Sequence, residues 1–353
     1  MALFKIKPQF RKRSKVLSYY GTIANLYPSA RPYELAATSI GNYALFGGGV
    51  NGYDLSQTMT AYNTSLTLSN PTGLCEARMG LAATSIGNYA LFGGGENSLM
   101  NDYANAVDVY DSSLTKLNNK FLNYGRRDLA ATSIGNYALF AGGYYNDGSA
   151  NFESQIDAFN SSLTRSNPGY IKAGGMGVAA TSIGNYALFG PGHSYDSYSN
   201  YYRKWVTACN SSLVISYPPD LSEARSELAA ASVGNYALLG GGYGQDVGYS
   251  NKVDAYDTSL VKTIPTALSQ ARTHLAATSL DGYALFGGGY YNGSNDVRNE
   301  VDVYDTSLVR TIPTPLSQGR RDLAATSLGS YALFGGGYNQ NVYRGIVDVY
   351  QVA

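Results

Sequence analysis

Small, apolar and glycine positions follow one another in a fixed order along this chain. The stretch 35–49, LAATSIGNYALFGGG, returns at 81–95, 129–143, 178–192, 228–242, 275–289 and 323–337, with starts 46 to 50 residues apart. Within each copy, Leu-Ala-Ala-Thr-Ser-Ile predicts a first strand and Tyr-Ala-Leu-Phe-Gly a second. Between them stands Gly41-Asn42 or its counterpart, which becomes Asp281-Gly282 in the sixth copy and Gly329-Ser330 in the seventh. All are dipeptides of two-residue hairpins, where primed turns require φ > 0. A third strand, Val-Asp-Val-Tyr, alternates with period two at 107–110, 253–256, 301–304 and 347–350, with looser forms at 156–159, 59–62 and 206–209. A polar turn follows, such as Asp257-Thr258-Ser259. The fourth strand then runs from Leu260 or its equivalents toward a proline, which suits an outer edge.

Repetition with one period along the whole chain argues for a single closed body rather than two domains. The small Ala-Ala-Thr-Ser run suits an innermost strand, where seven strands crowd one axis. The chain ends after the third strand of the seventh repeat. A segment resembling the end of a repeat stands early, around 20–27, so the N-terminal strand is expected to complete the last sheet.

Tyr-x-hydrophobic-hydrophobic-Gly-Gly, a variable stretch, Val-x-Val-Tyr-Asp and then an arginine make a pattern that resembles the kelch repeat over 17–353. The resemblance implies an all-β, seven-bladed β-propeller with four-stranded blades. The repeats are divergent: kelch repeats usually have a tryptophan shortly after Tyr-Asp, where Leu or Val stands here, and Trp205 lies elsewhere. No partner is carried over with the resemblance.

Charge divides the chain. Residues 1–16 hold Lys5, Lys7, Arg11, Lys12, Arg13 and Lys15 and no acid, which leaves 19 basic against 25 acidic residues for the body. The body is mildly acidic, which argues against nucleic acid on it. The arm reads as a solvated tail or as an anchor for an acidic protein surface or assembly partner. No signal peptide or transmembrane segment is read, so a cytoplasmic or virion-associated protein is expected. Cys75 and Cys209 form no disulfide framework or metal motif and read as small fillers.

Recognition is expected on the face where the second-to-third loops emerge. These loops, 50–57, 96–105, 144–154, 193–204, 243–251, 290–299 and 338–344, differ in every copy and are rich in Tyr, Asn, Ser and Gly. Such a composition resembles that of antibody paratopes. The candidate contacts are Tyr144, Tyr145, Tyr243, Tyr290, Tyr291, Asn292 and Tyr338. The fourth repeat departs most: Gly190-Pro191-Gly192 precedes His193, Tyr195, Tyr198, Tyr201, Tyr202, Arg203 and Trp205, residue types that dominate interface energetics.

Five arginines each stand three positions before the leucine of their repeat, inviting either a carboxylate ligand or an internal partner. The same repeats carry an acid in the third strand. The fourth repeat lacks both, with Gly175 and Thr207. Loss of both together favours structural pairs: Arg78 with Asp108, Arg126 with Asp157, Arg225 with Asp254, Arg272 with Asp302, and Arg320 with Asp348.

With His193 and His274 as the only histidines, no cofactor or metal site and no catalytic constellation is read. The copper oxidase chemistry of some kelch-type propellers would need more histidine ligands. The leading expectation is a non-enzymatic recognition or scaffold propeller for protein or glycan, tethered by 1–16 as in a phage virion or tail component. The alternatives are an intracellular kelch-type adaptor and a sugar isomerase or lyase using Tyr, Arg and Glu.

Overall fold

The computed structural model describes residues 15–23, 26, 32–52, 54–97, 103–146, 150–172, 174–196, 199–292, 296–339 and 345–353. Lys5, Lys7, Arg11, Lys12, Arg13 and Tyr198, candidates from the sequence, lie outside these residues. Among the described residues there are strands and no helix, hence no helix long and apolar enough to cross a membrane.

The strands form an all-β, propeller-like set of seven four-stranded antiparallel sheets. In the sixth, the order from inside out is Ala276–Leu280, Tyr283–Gly287, Val301–Asp305 and Arg310–Thr311. In the seventh, Leu17–Ile23 takes the outer position and pairs antiparallel with Val347–Val352. That strand starts three residues earlier than the sequence expectation placed it. The innermost strands pack in succession, and Ala324–Leu328 of the seventh sheet packs against Ala36–Ile40 of the first.

The core lies between sheets rather than within them. Each hydrophobic cluster joins residues of two neighbouring sheets; Leu333, Val347 and Val349 of the seventh, for example, meet Phe46 and Tyr62 of the first. This explains why the second strand carries an unbroken Ala-Leu-Phe, since both of its faces are covered. The residue that follows the phenylalanine of the second strand (Leu239 in the fifth) also serves this interface; it is glycine in every repeat but the third, where Ala141 stands. A Cβ on Gly93 would sit 2.8 Å from Phe140 of the next sheet, and one on Gly335 would sit 2.7 Å from Phe46. Absence of a side chain therefore sets how closely sheets stack.

Three local features differ from the expectations. The inner hairpins do not share one turn: Gly41 has φ 54° in its Gly-Asn pair, whereas Asp281 (40°) and Gly282 (86°) are both left-handed. Gly-Asn thus follows the primed turn with only its first residue at positive φ, and Asp-Gly the one with both. Several second-to-third loops are short hairpins of their own, such as Tyr144–Asn146 with Ala150–Phe152 and His193–Tyr195 with Asn200–Tyr202. Cys75 is exposed rather than a core filler, while Cys209 is buried.

The outer turns hold leucines in a left-handed conformation, with φ from 59° to 64° at Leu66, Leu114, Leu163, Leu213, Leu260 and Leu308. Such geometry costs a non-glycine residue roughly 1–2 kcal/mol. Two compensations are visible. Asp257 Oδ1 accepts the amides of Ser259 and Val261, locking the turn. The leucines then pack onto the cluster shared with the preceding sheet, as Leu66 does on the seventh.

The five arginines are buried against third-strand acids. Nη2–Oδ2 distances are 2.5 Å for Arg78–Asp108, 2.8 Å for Arg126–Asp157, and 2.7 Å for Arg225–Asp254, Arg272–Asp302 and Arg320–Asp348. Each guanidinium also donates to a carbonyl of the second strand, such as Phe286 O from Arg272 at 3.1 Å. Each acid in turn accepts a backbone amide from the segment entering its sheet, such as Ser269 N on Asp302 at 2.9 Å. In the fourth sheet, Thr207 Oγ1 accepts that amide, from Lys172, at 2.9 Å. The threonine keeps the backbone bond where the ion pair is missing.

Removing one member of such a pair leaves a desolvated charge, which typically costs about 3–5 kcal/mol. Arg272→Leu should therefore lower stability by that order in urea unfolding. Adding Asp302→Asn should restore part of the loss, and simple additivity of the two changes would rule out coupling.

A central crater as candidate functional site

Immediately before Leu35 and its counterparts, which lead into each innermost strand, stands a residue in the left-handed conformation: Glu34, Gly80, Asp128, Gly177, Glu227, His274 and Asp322, with φ between 53° and 69°. Each donates its amide to the carbonyl of its counterpart in the preceding repeat, and Glu34 donates to Asp322, at distances of 2.8 to 3.2 Å. The seven bonds make a closed cycle around the axis. The cycle surrounds the mouth of a cavity of about 430 Å³, lined by side chains that include Glu34, Asp128, Glu227, His274 and Asp322.

A second tier surrounds the cycle. The residue after each glycine run makes backbone bonds with the one two positions before the leucine (Val178 in the fourth) that opens its own repeat, as Tyr144 does with Arg127 and Tyr338 with Arg321. This tier brings rings together edge to face. Tyr202 meets Tyr243, Tyr243 meets Tyr249, and Tyr249 meets Tyr290, with centroids 5.1 to 5.8 Å apart. Arg321 bridges onward, lying 5.0 Å from the Tyr290 centroid and 5.1 Å from that of Tyr338, which contacts Tyr33. On the other side, Tyr103, Tyr144, Phe152 and Tyr195 form a second run.

The two arginines of the mouth are already engaged. Arg127 Nη1 lies 2.7 Å from Glu96 Oε2, and Arg321 Nη1 lies 2.8 Å from Asp322 Oδ2. His274 stands between carboxylates, with Nδ1 3.2 Å from Glu227 Oε2 and Nε2 3.8 Å from Asp322 Oδ1. Burial, reinforced by repulsion from Asp322 and Asp128, pushes Glu34 up to about 8. Burial likewise pushes Asp128 up to about 6 and raises Asp322. Burial lowers His193, favouring its neutral ring, whose Nδ1 lies 2.9 Å from Ser226 Oγ. The result is an acidic floor under a wall of tyrosines. Such a pit suits a ligand presenting hydroxyl or ammonium donors to carboxylates and an apolar face to the rings. Among the described residues, no group of three or more His, Cys, Asp or Glu is arranged to hold a metal ion.

The residues singled out from the sequence fall into separate places. Tyr195, Tyr202, Tyr243, Tyr290 and Tyr338 stand part-exposed on the crater rim. Tyr144 and His193 do not present themselves to a partner: they are 6% and 8% exposed, packed under Tyr195 and Tyr202. Tyr145 stacks with Tyr124, and Tyr291 and Asn292 are exposed. Tyr201, Arg203 and Trp205 form a stack of their own, joined by cation–π contacts. Lys15 reaches back onto the protein, 2.5 Å from Asp281 Oδ2. The five paired arginines are buried and are not among the residues that line the crater.

Sequence reasoning passed over Glu34, Asp128, Glu227, His274, Asp322, Arg127 and Arg321. Their shared signal is position, immediately before the repeated Leu-Ala-Ala or one residue earlier.

Between pH 4.5 and about 8 the folded chain holds a proton on Glu34 that the unfolded chain releases. Stability therefore falls as pH rises through that window. Asp128 acts in the same sense, from 3.8 to about 6. His193 acts oppositely below its ordinary 6.5. Urea midpoints should thus decline from pH 6.5 to 8, and Glu34→Gln should flatten that decline. An unchanged slope in the variant would remove Glu34 as its source.

No family model matches the chain, and no curated protein does. Among solved structures, that of YjhT is similar, with a TM-score of 0.61 at 13% identity over 82% of this chain and 100% of that one. At such identity the likeness is one of fold.

Proposed function

We propose that the chain is a seven-bladed, kelch-like β-propeller, closed by its N-terminal strand, that acts as a non-enzymatic recognition module with the central crater as its ligand site. The observation that carries this reading is the tyrosine rim above the acidic floor of a cavity of about 430 Å³. Concave sites with aromatic walls and a few convergent polar groups are where small ligands bind. Sugar rings offer the matching chemistry: an apolar face for Tyr243 or Tyr290, and hydroxyls for Glu34, Glu227 and Asp322. The leading ligand is therefore a glycan, with a peptide segment as the other member of the class.

A second reading, a sugar isomerase or lyase, draws on the position of His274 between Glu227 and Asp322. A histidine ordered by carboxylates at a cavity mouth is a usable proton carrier.

Both readings are separated by a glycan array followed by product analysis of each bound sugar. Recognition predicts a bound sugar recovered unchanged, with Tyr290→Ala and Glu227→Gln each weakening binding at least about tenfold, equivalent to ~1.4 kcal/mol. A converted product, lost in His274→Gln, would replace the recognition reading with the enzymatic one. Absence of binding to glycans and peptides alike would sink both.

A further inference from the structure

A second cluster, outside the crater, stands on segments that flank the strands of the fourth sheet. The Arg203 guanidinium carbon lies 5.0 Å from the Tyr201 ring centroid and 5.6 Å from that of Trp205. Lys172 Nζ lies 5.2 Å from the Trp205 centroid and 5.7 Å from that of Tyr217. The order is aromatic, cation, aromatic, cation, aromatic. Tyr201, Lys172 and Tyr217 are exposed, and Trp205 and Arg203 half-buried.

The two cations differ from their counterparts elsewhere. Every other arginine among the described residues has a carboxylate oxygen within 4.0 Å. Arg203 has none, and its Nε is buried without a hydrogen-bond acceptor. Lys172 binds Thr207 through its backbone amide, while its ammonium, among the described residues, has only ring faces beside it. The acids in the neighbourhood are occupied otherwise: Asp196 accepts Tyr201 Oη at 2.8 Å, and Asp220 lies 3.9 Å from Lys204. Ring faces orient a cation but accept none of its in-plane N–H bonds. The guanidinium and ammonium are thus held in place with hydrogen-bonding capacity left over.

We propose that the Trp205 stack is a docking site for an acidic segment of a protein partner, with carboxylates taken by Arg203 and Lys172 and apolar contact supplied by Trp205, Tyr201 and Tyr217. Charge complementarity sets the sign of the partner. The site is an open surface rather than a cavity, which fits a macromolecule better than a small ligand. Trp, Tyr and Arg are the residue types that carry protein interfaces. A polyphosphate is disfavoured because the body beyond residues 1–16 holds 19 basic against 25 acidic residues. The site stands independently of the crater, and failure of glycan binding there leaves it untouched.

Trp205 is the chain's single tryptophan, so emission excited beyond the tyrosine absorption band reports on the stack. The full chain is titrated at low salt with a ten-residue Asp/Glu peptide, then with a Lys peptide, inorganic phosphate and a sulfated polysaccharide. A saturable change with the acidic peptide alone, weakened by salt, is expected. Arg203→Gln and Lys172→Gln should each raise its Kd at least about tenfold with thermal unfolding unchanged. The two substitutions are made and read separately, so a folding defect in one leaves the other decisive. No saturable change, equal affinity in the variants, or an equal response to phosphate or the sulfated polysaccharide would overturn the proposal.

Discussion

The cycle of seven backbone hydrogen bonds around the axis is the constraint on which the rest of the structure depends. Each bond ties the residue before one innermost strand to its counterpart in the preceding repeat, and the bond from Glu34 to Asp322 joins the first repeat to the seventh. A left-handed backbone at these positions turns the chain sharply into the innermost strand. Five of the seven are not glycine, so each pays part of the strain that glycine avoids. The same geometry places their side chains at one end of the axis. The acidic floor is thus a by-product of how the repeats are joined, and its raised carboxyls follow from crowding several acids into one partly dry place.

Around that centre, stability is distributed between neighbours. The hydrophobic clusters bridge adjacent sheets, the strand glycines admit the phenylalanine of the next sheet, and the outer leucines reach across the same seams. Within five of the sheets the buried arginine does a different task, tying the entering segment to the second and third strands through Phe286 O and Asp302 in the sixth repeat. Thr207 satisfies the same amide without a charge. In the first sheet the Thr60 hydroxyl instead donates to the Leu26 carbonyl, so a third-strand side chain holds the entering backbone with or without an ion pair.

Strands and turns were legible because each rests on local chemistry. Period-two alternation marked Val301–Asp305, and Gly-Asn or Asp-Gly marked the hairpins, although φ differs between them in a way that composition does not state. The crater was not legible. Its residues read Glu, Gly, Asp, Gly, Glu, His and Asp down the repeats, and nothing in glutamate or histidine announces a left-handed backbone. Only tertiary closure brings residues 34 and 322 into contact. Tyr144 and His193 misled for a related reason: the residue type marks an interface, but in the third and fourth repeats the position after the glycine run is overlaid by Tyr195 and Tyr202, whereas Tyr243, Tyr290 and Tyr338 stay part-exposed.

The outer circumference, described above only through its left-handed leucines, has a bearing on how such a chain changes over generations. Because the leucine in each turn locks onto the preceding sheet, a repeat is anchored by its neighbour rather than by its own loop. The segment between the second and third strands carries little of that anchoring. It is longer in 193–204 and shorter in 243–251, while both repeats keep a four-stranded sheet. Mechanical integrity and molecular novelty are thereby written in different parts of the same repeat, and selection can revise one without editing the other.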